Sequence, residues 1–178
     1  MIIKAAIGQT CPVTGDIKGN TKQIIDNIER AIREGIDVIV FPETAITGYC
    51  CGALFNRGHF VIDAEAALYD IRDYVTGEIV VVLGIVDFLG TQINGKLNLG
   101  NSAVVMQYGE ILNTYQKTYL ANDDHHEDRK YFSPGNPDKL VTTVLIKGET
   151  VRIATPICED IWSDDHEECL IKRSKEVY

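Results

Sequence analysis

The sequence has no paired-cysteine framework, no block of basic residues and no apolar run of membrane-spanning length. Each absence closes a class of function. The five cysteines (Cys11, Cys50, Cys51, Cys158, Cys169) are an odd number, and two of them are adjacent. That pattern is a poor disulfide scaffold. Neither a Cys-x-x-Cys pair nor a Cys/His spacing suited to zinc occurs, so reduced thiols are expected. The net charge of −9, without any basic stripe, excludes nucleic acid as the main partner. Gly84, Gly90, Gly95 and Gly100 lack the spacing of a phosphate cradle, and a Ser-His-Asp triad has no local support. In Asp123-Asp124-His125-His126-Glu127-Asp128, adjacent histidines alternate direction. The stretch reads as a solvated acidic loop rather than a metal site. Met1 to Gly8 carries no charged leader before a long apolar stretch, so it reads as a strand and the compartment as cytoplasmic.

What is present is an alternation of short Ile/Val-rich runs with amphipathic segments. Residues 2–8, 37–41, 79–86, 101–107, 110–116, 140–146 and 151–157 read as strands. Between the first two, Ile24, Ile25, Ile28, Ala31 and Ile32 recur at helical spacing. Asn20 is the expected N-cap of that helix, with Gln23 completing a capping box and Gly35 closing the end. A second helix is expected over 64–76, with Ala67, Leu68, Ile71 and Val75 inward. Strand-helix-strand-helix-strand implies parallel pairing first. Hairpins at Tyr108-Gly109 and Lys147-Gly148 then make the sheet mixed. Residues 42–62 and 118–139 read as long loops, which commonly carry function.

Three residues just past strand ends could meet in one site: Glu43, Lys117 and Cys158. A lone cysteine at a strand end is usually an inert small hydrophobe, and an isolated Glu or Lys there is usually solvated. Around Cys158, though, apolar Thr155-Pro156-Ile157 breaks abruptly into acidic Glu159-Asp160, as at a sharp turn that exposes a nucleophile. Adjacent carboxylates would raise the thiol pKa, so a nearby cation is needed, and Lys117 can supply it. Together a thiol, a carboxylate and an ammonium are the parts for nucleophilic attack on an amide carbon.

Phe41-Pro42-Glu43-Thr44-Ala45-Ile46-Thr47-Gly48-Tyr49, Tyr115-Gln116-Lys117-Thr118-Tyr119-Leu120 and Ile157-Cys158-Glu159-Asp160-Ile161-Trp162 resemble, in order, the three signature blocks of the nitrilase (carbon–nitrogen hydrolase) superfamily. Gly15-Asp16 with Asn20, Asn101-Ser102-Ala103 and Tyr131-Phe132-Ser133-Pro134-Gly135 are further matches. The Cys-Glu-Asp-Ile-Trp form is most similar to the glutaminase domain of glutamine-dependent NAD synthetases. The resemblance implies an α/β fold, part of an α-β-β-α sandwich with a mixed sheet. It also implies hydrolysis of glutamine through a Cys158 thioester, with Glu43 as general base. Lys117 and the backbone N–H of Glu159 would hold the oxyanion, with Tyr49 and Tyr119 lining the pocket. The implied partners are a synthetase domain or subunit that takes the ammonia, and further copies of the chain in a homo-oligomer. No cofactor is implied for the hydrolytic step, and ATP only for the synthetase module.

The departures are specific. A second family glutamate falls at Asp128, with Glu127 beside it, so either residue could support the site. Cys50-Cys51 and Ala121 stand where prolines are common. The chain ends at Tyr178, twenty residues past Cys158, whereas related domains continue. The expectation is therefore one domain over 1–178, incomplete at its C-terminus. A free-standing carboxamide amidase, or an inactive relative kept for binding or assembly, are the rival readings.

Overall fold

The computed structural model describes residues 1–49, 51–122 and 126–162. Cys50, Cys169 and the Asp123-Asp124-His125 part of the acidic loop lie outside the described residues. Five strands form one sheet in the order β1 (Ala5–Ile7), β2 (Val38–Val40), β3 (Val80–Thr91), β4 (Leu97–Gln107), β5 (Glu110–Gln116). β1, β2 and β3 pair in parallel, and β3-β4-β5 are antiparallel. A second, two-stranded sheet consists of β6 (Val141–Ile146) and β7 (Glu149–Ala154).

Strand periodicity explains the layering. On one face Ile39, Val81, Leu83, Val104 and Met106 are buried against helices α1 (Ile17–Arg33) and α2 (Gly58–Tyr74). On the other, Val38, Val80, Val82, Ala103 and Val105 meet Leu140, Val144 and Ile146. Successive residues of a strand face opposite layers, so β3 is apolar without interruption from Val80 to Leu83. Polar side chains tie the second sheet to the first. Gln107 donates through Nε2 to the Leu145 carbonyl at 2.6 Å and accepts from its N–H at 3.2 Å. Asn113 donates to Thr142 Oγ1 at 2.8 Å.

Both expected hairpin turns form, with Tyr108 (φ 55°) and Gly109 (φ 73°) in one, and Lys147 (φ 52°) and Gly148 (φ 76°) in the other. Two positive φ angles in succession give the type I′ twist that matches flanking strands. The boundaries differ elsewhere. α1 starts at Ile17, and Asp16 is its cap, accepting from Gly19 N–H at 3.0 Å. Asn20 lies within the first turns, 2% exposed, and binds the backbone of Val13 and Ile46 instead. Ile24 and Ile28 are fully buried, whereas Ile32 is exposed and Ile25 half-buried, because the buried stripe runs through Ala31. α2 begins six residues before the expected start, taking 58–62 out of the loop, since Phe60, Val61 and Ala64 extend its buried face.

At the other strand ends the pattern is equally local. β1 is shorter than 2–8, and β7 stops at Ala154, two residues before Pro156, which has no N–H to donate to a ladder. β3 and β4 run on into a hairpin around Asn94-Gly95, beyond the expected strand ends, where Phe88, Leu89 and Ile93 are exposed. Among the described residues no helix is long and apolar enough to cross a membrane.

Candidate active site

Glu43 leaves β2 through Phe41-Pro42. Phe41 N–H donates to the Val82 carbonyl at 2.8 Å, and Ala45 N–H to that of Gly84 at 2.8 Å. This path runs against β3 so closely that a Cβ on Gly84 would lie 2.2 Å from the Pro42 oxygen and 2.6 Å from Glu43 Cα. Only glycine allows that approach. Lys117 follows β5, its N–H donating to the Asn101 carbonyl at 2.8 Å. The Pro134-Gly135 loop lies against the same strand end, with Gly135 N–H donating to the Lys117 carbonyl at 2.9 Å.

Lys117 is 1% exposed and bridges two carboxylates. Its Nζ donates to Glu43 Oε1 at 3.1 Å and to Asp128 Oδ2 at 2.7 Å. Burial works against its charge, but the hydrogen bond it donates to Asp128 and the charges of Glu43 and Asp128 prevail. The ammonium is held above the ordinary lysine range. Asn101, fully buried on β4, donates through Nδ2 to the same Glu43 oxygen. Asp128 opens a single helical turn, α3 (Asp128–Tyr131), and is 4% exposed. Glu127 is exposed and pairs with Lys130 at 3.1 Å, so of the two acids it is Asp128 that reaches Lys117.

Cys158 opens a 3₁₀ turn, Cys158–Ile161, with φ of +46°. A non-glycine residue in that region costs on the order of 1–3 kcal/mol and persists only when its surroundings hold it. Cys158 and Glu43 line one cavity of about 340 Å³, with Phe41, Ala103 and Pro156. Burial raises the thiol pKa above its ordinary value. Lys117 and the Glu159 N–H oppose that rise, while Glu43 and Asp128 reinforce it. The expected lysine effect is therefore present but outweighed, and the group rests as a thiol.

The other candidates divide between two further cavities. Tyr49, Glu127 and Asp128 line a small one of about 100 Å³, and Tyr119 and Glu159 line one of about 320 Å³. Tyr49 is partly exposed, its ring edge-on to His126 at 6.2 Å. Asp160 received no role in the sequence analysis, yet it is 1% exposed and hydrogen-bonded to both the Lys117 and Cys158 segments. Asn101 and Gly84 were likewise given no role. Both Asn101 and Asp160 lie in stretches that carry the family resemblance, but a motif match alone does not say which atoms they bind, and each contact spans about forty residues or more.

With this geometry in view, a family model described as carbon-nitrogen hydrolase matches residues 4–166. The chain belongs to that family. A glutamine-dependent NAD(+) synthetase of Thermotoga maritima is 30% identical over 161 residues, covering 90% of this chain and 26% of that protein. The solved glutamine-dependent NAD+ synthetase of Acinetobacter baumannii superposes with a TM-score of 0.79 at 28% identity, over 98% of this chain and 30% of that one. An amidase of Nesterenkonia AN1 from the nitrilase superfamily shares the fold, with a TM-score of 0.75 at 20% identity, over 96% of this chain and 61% of its own. This hydrolase-family chain thus spans about a quarter of the length of the curated synthetase and shares a mixed α/β architecture with the amidase. The synthetases to which it is related are enzymes.

Proposed function

We propose that the chain is an amide hydrolase acting on glutamine, with Cys158 as nucleophile, Glu43 as general base and Lys117 as oxyanion partner. The observation that carries this reading is the direct Lys117–Glu43 ion pair beside a cavity that Glu43 shares with Cys158. A thiol that rests protonated needs a base within reach before it can attack. Lys117 and Asn101 both bind Glu43 Oε1, which leaves the second carboxylate oxygen for the proton.

Cys158 Sγ loses its proton to Glu43 and bonds to the amide carbon. The carbonyl electron pair moves to oxygen, where the Lys117 ammonium and the Glu159 N–H stabilise it. Collapse breaks the C–N bond, and Glu43 returns the proton to the departing ammonia, leaving a thioester. Water, deprotonated by Glu43, then attacks the thioester and releases glutamate and the thiol. Asp128 keeps Lys117 charged and holds it through a second hydrogen bond beside that to Glu43. Tyr49 and Glu127 line one further cavity and Tyr119 and Glu159 another, so none of these four lines the cavity shared by Glu43 and Cys158.

Ammonia released in this way would serve a synthetase module outside this sequence, where ATP would be consumed. The similarity to glutamine-dependent NAD synthetases supports that assignment. Cytoplasmic location and homo-oligomeric assembly belong to the same reading.

The test is ammonia release by the purified chain supplied with glutamine, run beside Cys158→Ala. Release that disappears in the variant by at least about 10⁴-fold, with folding intact, supports the proposal. Equal rates in both proteins overturn it. Turnover of acetamide or propionamide in preference to glutamine points to a free-standing amidase. A folded protein inert to all three is the inactive, binding-only relative.

A further inference from the structure

Asp160 is a buried carboxylate whose hydrogen bonds divide between two distant parts of the chain. Oδ1 accepts from Thr118 N–H at 3.1 Å and from Tyr119 N–H at 2.9 Å. Oδ2 accepts from Ile157 N–H at 2.9 Å and from the Tyr115 hydroxyl at 2.8 Å. Among the described residues no Lys or Arg forms an ion pair with it, and it is only 1% exposed. Burying an uncompensated carboxylate costs several kcal/mol, so four neutral donors are needed to offset that cost.

A cap on the Cys158 turn would require the Ile157 bond alone. The bonds to Thr118 and Tyr119 lie about forty residues away in sequence, on the segment that follows β5. Each oxygen is thus anchored next to a residue that bears chemistry: Thr118 follows Lys117, and Ile157 precedes Cys158. Tyr115, fully buried on β5, adds a side-chain brace to the same oxygen as Ile157. The left-handed backbone of Cys158 needs such an external hold.

We propose that Asp160 is a positioning residue, a carboxylate bridge that fixes the turn bearing Cys158 relative to the strand end bearing Lys117. The inference rests on the hydrolase reading above for its consequence in rate, since displacement of a reacting group by about 1 Å costs about 100-fold. Its geometric content does not depend on the substrate.

Asp160→Asn preserves size but presents a donor amide to one pair of donors, so one arm of the bridge is released. The 178-residue chain and this variant are compared in three measurements: thermal midpoint, ammonia release from glutamine, and the pH profile of Cys158 alkylation by iodoacetamide mapped by peptide mass. The charged groups that act on the thiol are Lys117, Glu43 and Asp128, with the Glu159 N–H facing the sulfur. Loss of a negative charge at position 160 would by itself move the alkylation midpoint down. Separation of Lys117 from the sulfur moves it up.

The expected result is an upward shift, with kcat/KM for glutamine lowered about 100-fold, mainly through kcat. A midpoint that stays or falls, with turnover within about threefold of the parent, overturns the bridge even if the thermal midpoint drops. If the parent chain releases no ammonia, the hydrolase reading fails, while the alkylation profile still decides the bridge. If Asp160→Asn does not fold, Tyr115→Phe carries the test by removing one of the four donors. Its expected shift is smaller and in the same direction, and an unchanged profile overturns the proposal.

Discussion

The two faces of the five-stranded sheet are built from the same kind of strand and end up with opposite jobs. The face under α1 and α2 is closed: Ile24, Ile28, Ile71 and Leu83 are fully buried, and the layer is almost wholly apolar. The face toward β6 and β7 is only partly covered. Val40 stays 40% exposed there, and the cavity shared by Glu43 and Cys158 opens beside it. Rigid apolar packing on one side sets where the strands end. Glu43, past the end of β2, and Cys158, past the end of β7, then line the cavity on the open side.

Breaking each region should give a different signature. The largest effect is expected at the centre of the site. Lys117→Met leaves the Glu43 and Asp128 carboxylates facing each other without a cation, which should cost about 3–5 kcal/mol of stability and abolish ammonia release. Denaturant melts and turnover assays on one preparation measure both losses. Next is Ile28→Ala on the closed face, expected to cost about 2–5 kcal/mol through the cavity it opens. Its kcat, measured well below the thermal midpoint, should stay within about twofold of the parent. A large kcat loss there would show that the two faces are not separable.

Gly84→Ala sharpens the contrast because it lies between the faces. The added methyl must displace Pro42 or Glu43, so kcat should fall by about 100-fold while stability falls by only about 1–3 kcal/mol. The smallest effect is expected far from the site, at the exposed ion pair of Lys147 with Asp37, 2.6 Å apart. Asp37 is held below the usual carboxylate range by Lys147 and the Lys4 N–H, yet the lysine is half in solvent. Lys147→Ala should leave turnover unchanged and shift the thermal midpoint by no more than about 2 °C, and by less still in high salt. Identical burial-independent losses at Lys147 and Lys117 would refute the distinction.

Legibility followed range. The hairpin turns at Tyr108-Gly109 and Lys147-Gly148 were readable because turn chemistry is local. The α1 stripe was readable at Ile24, Ile28 and Ala31, but its cap was misassigned to Asn20. Asp16 and Asn20 are both good capping types, and only packing shows which one is buried. The early start of α2 was hidden by Gly58 at its first position, a residue that reads as loop. In the site, Glu43, Lys117 and Cys158 stood out by their motifs. Only the tertiary structure separates Glu127 from Asp128, because one residue of offset rotates a side chain from the interior toward Lys130.

The order of residue types along the chain determined the strands, the helices and the chemical cast of one thiol, one carboxylate and one amine, since each is a property of short windows. Tertiary structure alone decided which acid holds Lys117, that burial outweighs Lys117 in its effect on the Cys158 thiol, and that Asp160 bridges two segments. Those outcomes depend on burial and on distances between residues tens of positions apart, and no local pattern encodes either.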